Sequence, residues 1–480
     1  MAKKIGLYLG PSLFILLMLA QPSSLSHEAW AVIRVTVWML VWWISESVPI
    51  AVTSLLPVLL FPLLGVLTLD KAGAPYADKF VFLFLGGFIL ALAMEKWNLH
   101  RRIALNIIKR TGARADRIIL GFMVATALLS MWISNTATTM MMLPIAASII
   151  ALLLSEGTER KGAKNFAVAM MLGIAYAANV GGIATLIGTP PNGVMASILN
   201  KNYGIQIDFV DWMMIGLPFS IVMLTLVYLV LVKLIYPNRI GHFSRATDVV
   251  MKEIKLLGKM NDAELAVLVV FIMTAGLWIF RVPLSGFPGL QNLSDTGIAI
   301  FSAILLFILP TKSGGDGKTR ILEWDDTKRL PWGILLLFGG GMSLAAGFKS
   351  SGLIEVVATS FASISSSHII LIIVLLTVVS LFLTELMSNM ALVSIFVPVV
   401  AAIAVGADAS PLLFAVPVTI AASCAFMFPM STPPNAIVFG SGYVKISQMA
   451  RSGVVLNLVA IMATTLLCYF FLEWWIAKWS

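Results

Sequence analysis

Charge is scarce in this chain. Only 11% of its 480 residues are Asp, Glu, Lys or Arg, 59% are hydrophobic, and the mean hydropathy is +0.97. A soluble domain carries about 25% charged residues. The composition therefore excludes a soluble globular enzyme and describes an all-α polytopic membrane protein. Cysteine is nearly absent. Cys424 and Cys468 both sit in apolar segments, which excludes a disulfide framework or a cysteine metal cluster. The four histidines, His27, His100, His242 and His368, lie at span ends or in loops and form no metal pattern. There is no HExxH, no GxSxG and no carboxylate pair at membrane depth, so an intramembrane enzyme would lack its nucleophile, base or metal. No organic cofactor is implied.

The most informative stretch, Leu128 to Pro144 (LLSMWISNTATTMMMLP), has no acid, base, His or Cys. Its centre is Ser134-Asn135-Thr136, three small polar residues whose hydrogen-bonding groups lipid cannot satisfy. A re-entrant hairpin solves this, provided that its tip is covered by protein or lines a wet cavity. The device recurs at Thr384 to Pro398, with Ser388-Asn389 between two apolar arms. Gly188-Thr189-Pro190-Pro191-Asn192 follows the first hairpin and Ser431-Thr432-Pro433-Pro434-Asn435 follows the second. Phe84-Leu85-Gly86-Gly87 precedes the first and Phe338-Gly339-Gly340-Gly341 the second. The offset is 254 from Ser134 to Ser388, 243 from Pro190 to Pro433 and 253 from Gly86 to Gly339. Three landmarks in one order at nearly one spacing mark an internal duplication, as in many transporters.

At about 20 apolar residues per crossing, the chain reads as eleven transmembrane helices plus two re-entrant hairpins. An N-terminal span lies in 1–28. Small residues near Ala20 also permit a signal-peptide reading of it, but a retained span gives the consistent parity. The first repeat covers 29–240, with a hairpin at 117–153 and a broken helix at 165–200. A linker at 241–261 is placed in the cytoplasm. The second repeat covers 262–480, with a hairpin at 367–404 and a broken helix at 411–441. Five spans per repeat is an odd number, so the repeats are inverted and the two tips should meet near the midplane. Span three is expected over 48–68, and a surface helix over Lys252 to Glu264. Trp474, Trp475 and Trp479 read as an interfacial belt.

The net charge of +9 is an orientation signal and not a nucleic-acid surface. Lys3 and Lys4, the Arg101–Arg117 cluster, Arg160 to Lys164, Lys233 to Lys259, Lys312 to Arg329, and Lys445 with Arg451 all fall on one side. That side is the cytoplasm by the positive-inside rule. The protein is expected in the inner (plasma) membrane with a cytoplasmic N-terminus. The opposite loops hold only Lys71, Lys79, Lys201, Arg281, Lys349 and Lys478.

Each break frees carbonyls and exposes a helix N-terminus. Carbonyls with Ser, Thr and Asn oxygens suit a hard cation such as Na⁺, and helix N-termini suit an anion. Proline stops a helix and cannot donate, which leaves Asn192 and Asn435 to bond the loosened backbone. Glu46 and Glu385 read as buried acids. Glu46 is assigned a structural role at the second-to-third connection. Glu385 is open between structural pairing and proton coupling.

The SNT motif, the SN inside TE-x-x-SN and the two TPPN motifs resemble the divalent anion:sodium symporters, the family of INDY-type dicarboxylate and citrate carriers. Trp42 to Ile50 (WWISESVPI) also looks like that family's second span. The resemblance covers nearly the whole chain. It implies a homodimer whose transport domain moves like an elevator past a scaffold. It implies one sodium on Ser130, Ser134 and Asn135 with the backbone near Gly188. A second would sit on Thr384, Met387 (backbone) and Asn389 with the backbone near Ser431. Substrate carboxylates would meet Ser134, Asn135, Thr136, Ser388 and Asn389, with Thr189, Thr432 and Pro433 close by. The expected function is sodium-coupled import of a di- or tricarboxylate. Met390 stands where dicarboxylate carriers often place Thr, which keeps tricarboxylate or sulfate open. A sodium-independent exchanger or a proton-coupled carrier of the same fold is the nearest alternative, and a channel is a different class.

Overall fold

A computed structural model describes residues 2–155, 160–313, 319–361 and 369–472. Trp474, Trp475, Trp479, His368, Lys318 and Lys478 lie outside the described residues. The described chain is helical and contains no strand, only isolated bridges at Arg114–His242 and Pro310–Arg320.

It opens with α1 (Ala2–Met18) and α2 (His27–Ser45), then α3 (Ile50–Thr53) and α4 (Leu56–Leu63). Then come α5 (Leu69–Gly73), α6 (Lys79–Lys96) and α7 (Leu99–Arg110). The first hairpin is α8 (Ala115–Ser130) and α9 (Asn135–Ser155). The broken helix is α10 (Arg160–Ile183) and α11 (Pro190–Tyr203), followed by α12 (Phe209–Tyr228). The second half has α13 (Ser244–Leu257), α14 (Asp262–Ile279), α15 (Arg281–Leu284), α16 (Asp295–Ile308), α17 (Trp332–Ser350) and α18 (Leu353–Phe361). Its hairpin is α19 (Ile369–Thr384) and α20 (Asn389–Gly406). Its broken helix is α21 (Pro411–Ala422) and α22 (Pro433–Gly440), and α23 (Ile446–Leu467) follows.

Among the described residues nine helices are long and apolar enough to cross a membrane, and two of them, α9 and α20, are returning hairpin arms. Shorter apolar helices, including α16, α19 and α21, fill the remaining places. The expected single third span is two pieces, α3 and α4. The Ser54 hydroxyl bonds back to Ile50 O (2.9 Å), and Pro57, near the start of α4, has no N–H to continue the ladder. The surface helix lies at Ser244–Leu257, ahead of the expected stretch, because Asn261 caps α14 through Glu264 N and starts the membrane helix there.

The sequence landmarks fall at matched places. The rings of Phe84 and Phe338 pack together, tilted by 49° with centroids 4.6 Å apart, and a side-chain carbon on Gly193 of α11 would touch both. Leu99 and Leu353 open the two short amphipathic helices α7 and α18, again 254 positions apart. The returning arm α9 packs on α22, and α20 packs on α11, so each hairpin leans on the half-helix of the other repeat. At the centre is α10, whose apolar window is entirely buried. A helix buried all round must be apolar all round, which is how Phe166 to Ile183 reads.

Basic loops distant in sequence meet at one end of the molecule. Arg101 pairs with Glu253, Arg102 with Glu264, and Lys96 with Asp326. Ala115 N donates to Gly241 O. Asp78–Lys201 and Arg281 with Asp208 and Asp295 pair away from these loops.

Candidate functional site

The two hairpin tips are built alike. In the first, Ser130 ends α8 and its Oγ donates to Asn135 Oδ1 at 2.7 Å. In the second, Thr384 ends α19 and its Oγ1 donates to Asn389 Oδ1 at 2.7 Å. Both pairs span five residues, and both asparagines are the first residue of the returning helix. Ser134 Oγ accepts from Ala137 N (3.2 Å) and caps α9. Ser388, the N-cap of α20, makes no such bond. Ser134, Asn135, Thr136, Ser388 and Asn389 are all half-buried, so the tips are covered by protein without being sealed.

The first tip meets the first break. A side-chain carbon placed on Gly182 would lie 2.8 Å from Asn135 Oδ1 and 3.1 Å from Gly188 O. The absence of that carbon lets the amide oxygen and the carbonyl face one space. Ser130, Asn135 and Gly188 are therefore brought together as the motif reading requires. At the second tip Thr384 Oγ1 also lies 2.7 Å from Ala422 O. A hydroxyl has one proton. With the amide oriented as assigned, three oxygens meet there around a single donor, a point of negative potential that a small cation suits. Ala422 O is an oxygen that the motif reading did not name. Ser431 is instead held by Asn435 Nδ2 (3.1 Å) and donates to Phe428 O (2.6 Å), with no bond to Asn389 among the described residues. Met387 is buried and its N–H bonds to Leu383 O (3.1 Å).

The two breaks share one design. Asn192 Nδ2 donates to Thr185 O (2.8 Å) and Gly182 O (3.4 Å), and Asn435 Nδ2 to Phe428 O (3.2 Å) and Ala425 O (3.1 Å). In each case the acceptors lie seven and ten residues upstream. Each asparagine thus satisfies carbonyls that the unwound turn has freed. Thr189 and Thr432 are extended N-caps with φ of −142° and −143°. Thr189 is buried, Thr432 Oγ1 accepts from Asn435 N (3.4 Å), and Pro433 is exposed at the start of α22.

Glu385 is held by four donors. Its Oε1 accepts from Phe426 N (2.8 Å), Met427 N (2.9 Å) and Asn457 Nδ2 (3.1 Å), and its Oε2 accepts from Phe428 N (3.3 Å). One buried carboxylate takes three consecutive backbone donors of the unwound stretch. Glu46 is not buried as its sequence setting implied. It caps α2 in the left-handed region (φ 45°) and its side chain, 61% exposed, pairs with Lys3. Met390 is buried, one residue after Asn389.

Several functional neighbours escaped the motif reading. Asn179 in α10 donates to Thr432 Oγ1 (3.1 Å) and Ala425 O (3.4 Å), and Tyr176 OH donates to Phe426 O (2.7 Å), tying the first repeat to the second break. Thr185 Oγ1 donates to Met131 O (2.6 Å) and accepts from Gly188 N (3.0 Å), joining the first tip to its break. Trp132, two residues before Ser134, packs among Phe209, Phe271 and Trp278. A polar residue inside an otherwise apolar buried helix was the available signal for Asn179.

Discontinuous helices whose ends and freed carbonyls face partly open space define an integral multi-pass transporter. The comparisons name its family. The model for the sodium:sulfate symporter transmembrane region matches residues 7–479, and the chain belongs to that family. It is 43% identical to a sodium-dependent dicarboxylate transporter of Staphylococcus saprophyticus, over 97% of this chain and 91% of that protein. It is 41% identical to the transporter of the same name from Staphylococcus aureus strain USA300, over 97% of this chain and 90% of that one. Among solved structures it resembles the YdaH transporter of Alcanivorax borkumensis (TM-score 0.59, 16% identity, 87% of this chain and 88% of that one). It also resembles MtrF of Neisseria gonorrhoeae (TM-score 0.57, 12% identity, 86% and 84%). At those identities the likeness is one of fold. The chain is a transporter and not an enzyme.

Proposed function

We propose that this protein carries a small dicarboxylate into the cell together with sodium. The observation that carries this reading is the pair of matched tips, Ser130–Asn135 and Thr384–Asn389, each 2.7 Å and each beside a carbonyl of an unwound segment. The oxygens suit Na⁺, which travels as co-substrate. The N-termini of α9, α11, α20 and α22 and the Ser388 hydroxyl suit carboxylate oxygens. Relatives named as sodium-dependent dicarboxylate transporters support the substrate class. Proton coupling through Glu385 is disfavoured, because that carboxylate is held by four donors.

Eleven crossings and two inverted repeats put the basic loops and the N-terminus in the cytoplasm, in a plasma membrane. The hairpins with α10, α11, α21 and α22 form the moving body of an elevator, and the protein works as a homodimer. Initial uptake of radiolabelled succinate, citrate and sulfate into proteoliposomes, under sodium, lithium and proton gradients, tests the reading. Sodium-driven succinate uptake is expected. Counterflow that persists without sodium would select the exchanger instead.

A further inference from the structure

The opposite loops hold few positive charges, and three of them surround one cavity. Lys71, Lys201 and Lys349 line a space of ≈ 350 Å³ with Asn202, Ile198 and Met342. The size falls in the roughly 300–1,000 Å³ range of small-molecule sites. It lies between the C-terminal ends of α11 and α17 and the connection from α4 to α5, at the other end of α11 from the TPPN break. A helix of that length puts about 20 Å between the two places, so the cavity is not the hairpin site.

The charges are not equivalent. Lys201 Nζ is 2.8 Å from Asp78 Oδ2 and is neutralised by it. Lys349 Nζ caps the C-terminus of α11, donating to Lys201 O (2.8 Å) and Asn202 O (3.2 Å), and makes no ion pair among the described residues. The exposed Lys71 ammonium has no partner among the described residues. Asn202 Nδ2 is buried at the wall and has no partner either. One unpaired ammonium, a second ammonium held by two carbonyl oxygens and one orphaned amide donor thus flank an apolar wall of Ile198 and Met342. A short dicarboxylate has the complementary form, with an anion at each end and methylenes between. We propose that this cavity is a second binding site for small dicarboxylates, outside the hairpin site, which gathers substrate at the outer mouth. Its placement on the outer side rests on the orientation given above.

The test uses Ser350→Cys, at the cavity rim, in the full-length protein. Both native cysteines are buried, and the protein without the added cysteine gives the background rate. Thiol-labelling rates are measured in sodium-free choline buffer, so that the sodium-coupled site does not contribute. Succinate is expected to slow labelling while acetate at equal ionic strength does not. Adding Lys71→Ala should raise the half-protecting concentration about tenfold, and Lys71→Arg should restore it. Protection should weaken in 1 M choline chloride, where the Debye length falls to about 3 Å. Leu67→Cys provides a second reporter if Ser350→Cys is poorly made. Labelling that ignores succinate at both positions overturns the proposal. So does protection that follows phosphatidylglycerol against phosphatidylcholine nanodiscs regardless of succinate, which would make the occupant a lipid headgroup. Sulfate protecting as well as succinate would also overturn it, as a site for any dianion. The labelling reads the cavity without transport. Protection with no sodium-driven uptake would sink the transport reading alone, and uptake without protection would sink the cavity alone.

Discussion

At the residue scale, the asparagines of the two tips and Glu385 have opposite kinds of work. Asn135 and Asn389 each make one short bond to a hydroxyl at a half-open surface. Replacing either by Ala removes a ligand but little packing. Asn135→Ala and Asn389→Ala should each cut sodium-driven uptake at least about tenfold, a loss of roughly 1.4 kcal/mol. Melting in detergent should shift little for either variant, as thermal-shift measurement would show. Glu385→Gln should do the reverse. It offers an N–H₂ group to donors that need an acceptor, and hydrogen bonds to a charged group contribute about 1.5–3 kcal/mol each. A loss of roughly 3 kcal/mol of stability is expected, with the pH profile of any residual uptake unmoved. A proton carrier would show the opposite pattern, an altered pH profile at unchanged stability. The tips were legible in the sequence because Ser134-Asn135-Thr136 and Ser388-Asn389 interrupt long, mainly apolar runs at matched places in the two halves. The tie of Glu385 to Phe426, Met427 and Phe428 was not legible, since it joins segments about 40 positions apart.

At the element scale, a broken membrane helix has to satisfy the carbonyls it frees, and one side chain per break does most of this. Asn192→Ala leaves Thr185 O without its amide donor, whereas after Asn435→Ala the Ser431 hydroxyl still reaches Phe428 O and the Asn179 amide still reaches Ala425 O. Asn192→Ala should cost about 2 kcal/mol, within the usual penalty for an unsatisfied buried group, and Asn435→Ala less. Each should also raise the sodium concentration for half-maximal uptake, measured by sodium titration at fixed succinate. Gly193 matters for a different reason. A β-carbon there would come within 2.4 Å of the Phe84 ring, so Gly193→Ala must displace the Phe84–Phe338 pair. If α11 slides along that pair, uptake should slow in this variant while sodium dependence stays the same. The long helices and both breaks were legible from apolar runs and Pro-Pro pairs. The split into α3 and α4, and the short amphipathic helices α7 and α18, were not. A segment of four to twelve residues carries too few turns for its periodicity to stand out.

At the scale of the whole molecule, the repeat spacing is repeated in space. The same hydroxyl–amide bond, the same asparagine clamp, the same short helix and a pair of touching phenylalanines recur at offsets of 243 or 254 residues. Two copies that each leave one polar break at membrane depth are unstable alone in lipid. Packed so that each hairpin leans on the other copy's half-helix, they shelter each other's breaks and leave partly open space between them. That arrangement gives a carrier a site reachable from either side without a continuous pore. On the proposed reading, sodium at the tip oxygens beside helix N-termini would make anion and cation binding mutually favourable, and that would be the physical basis for coupling.

The most direct measurement is initial succinate uptake by the purified wild-type protein in proteoliposomes, with sodium on the outside only and choline as the control. Uptake that accumulates succinate against its gradient with sodium, and collapses when choline replaces it, is what the paired tips predict. Equal uptake under both conditions, or none for any carboxylate, would contradict the account.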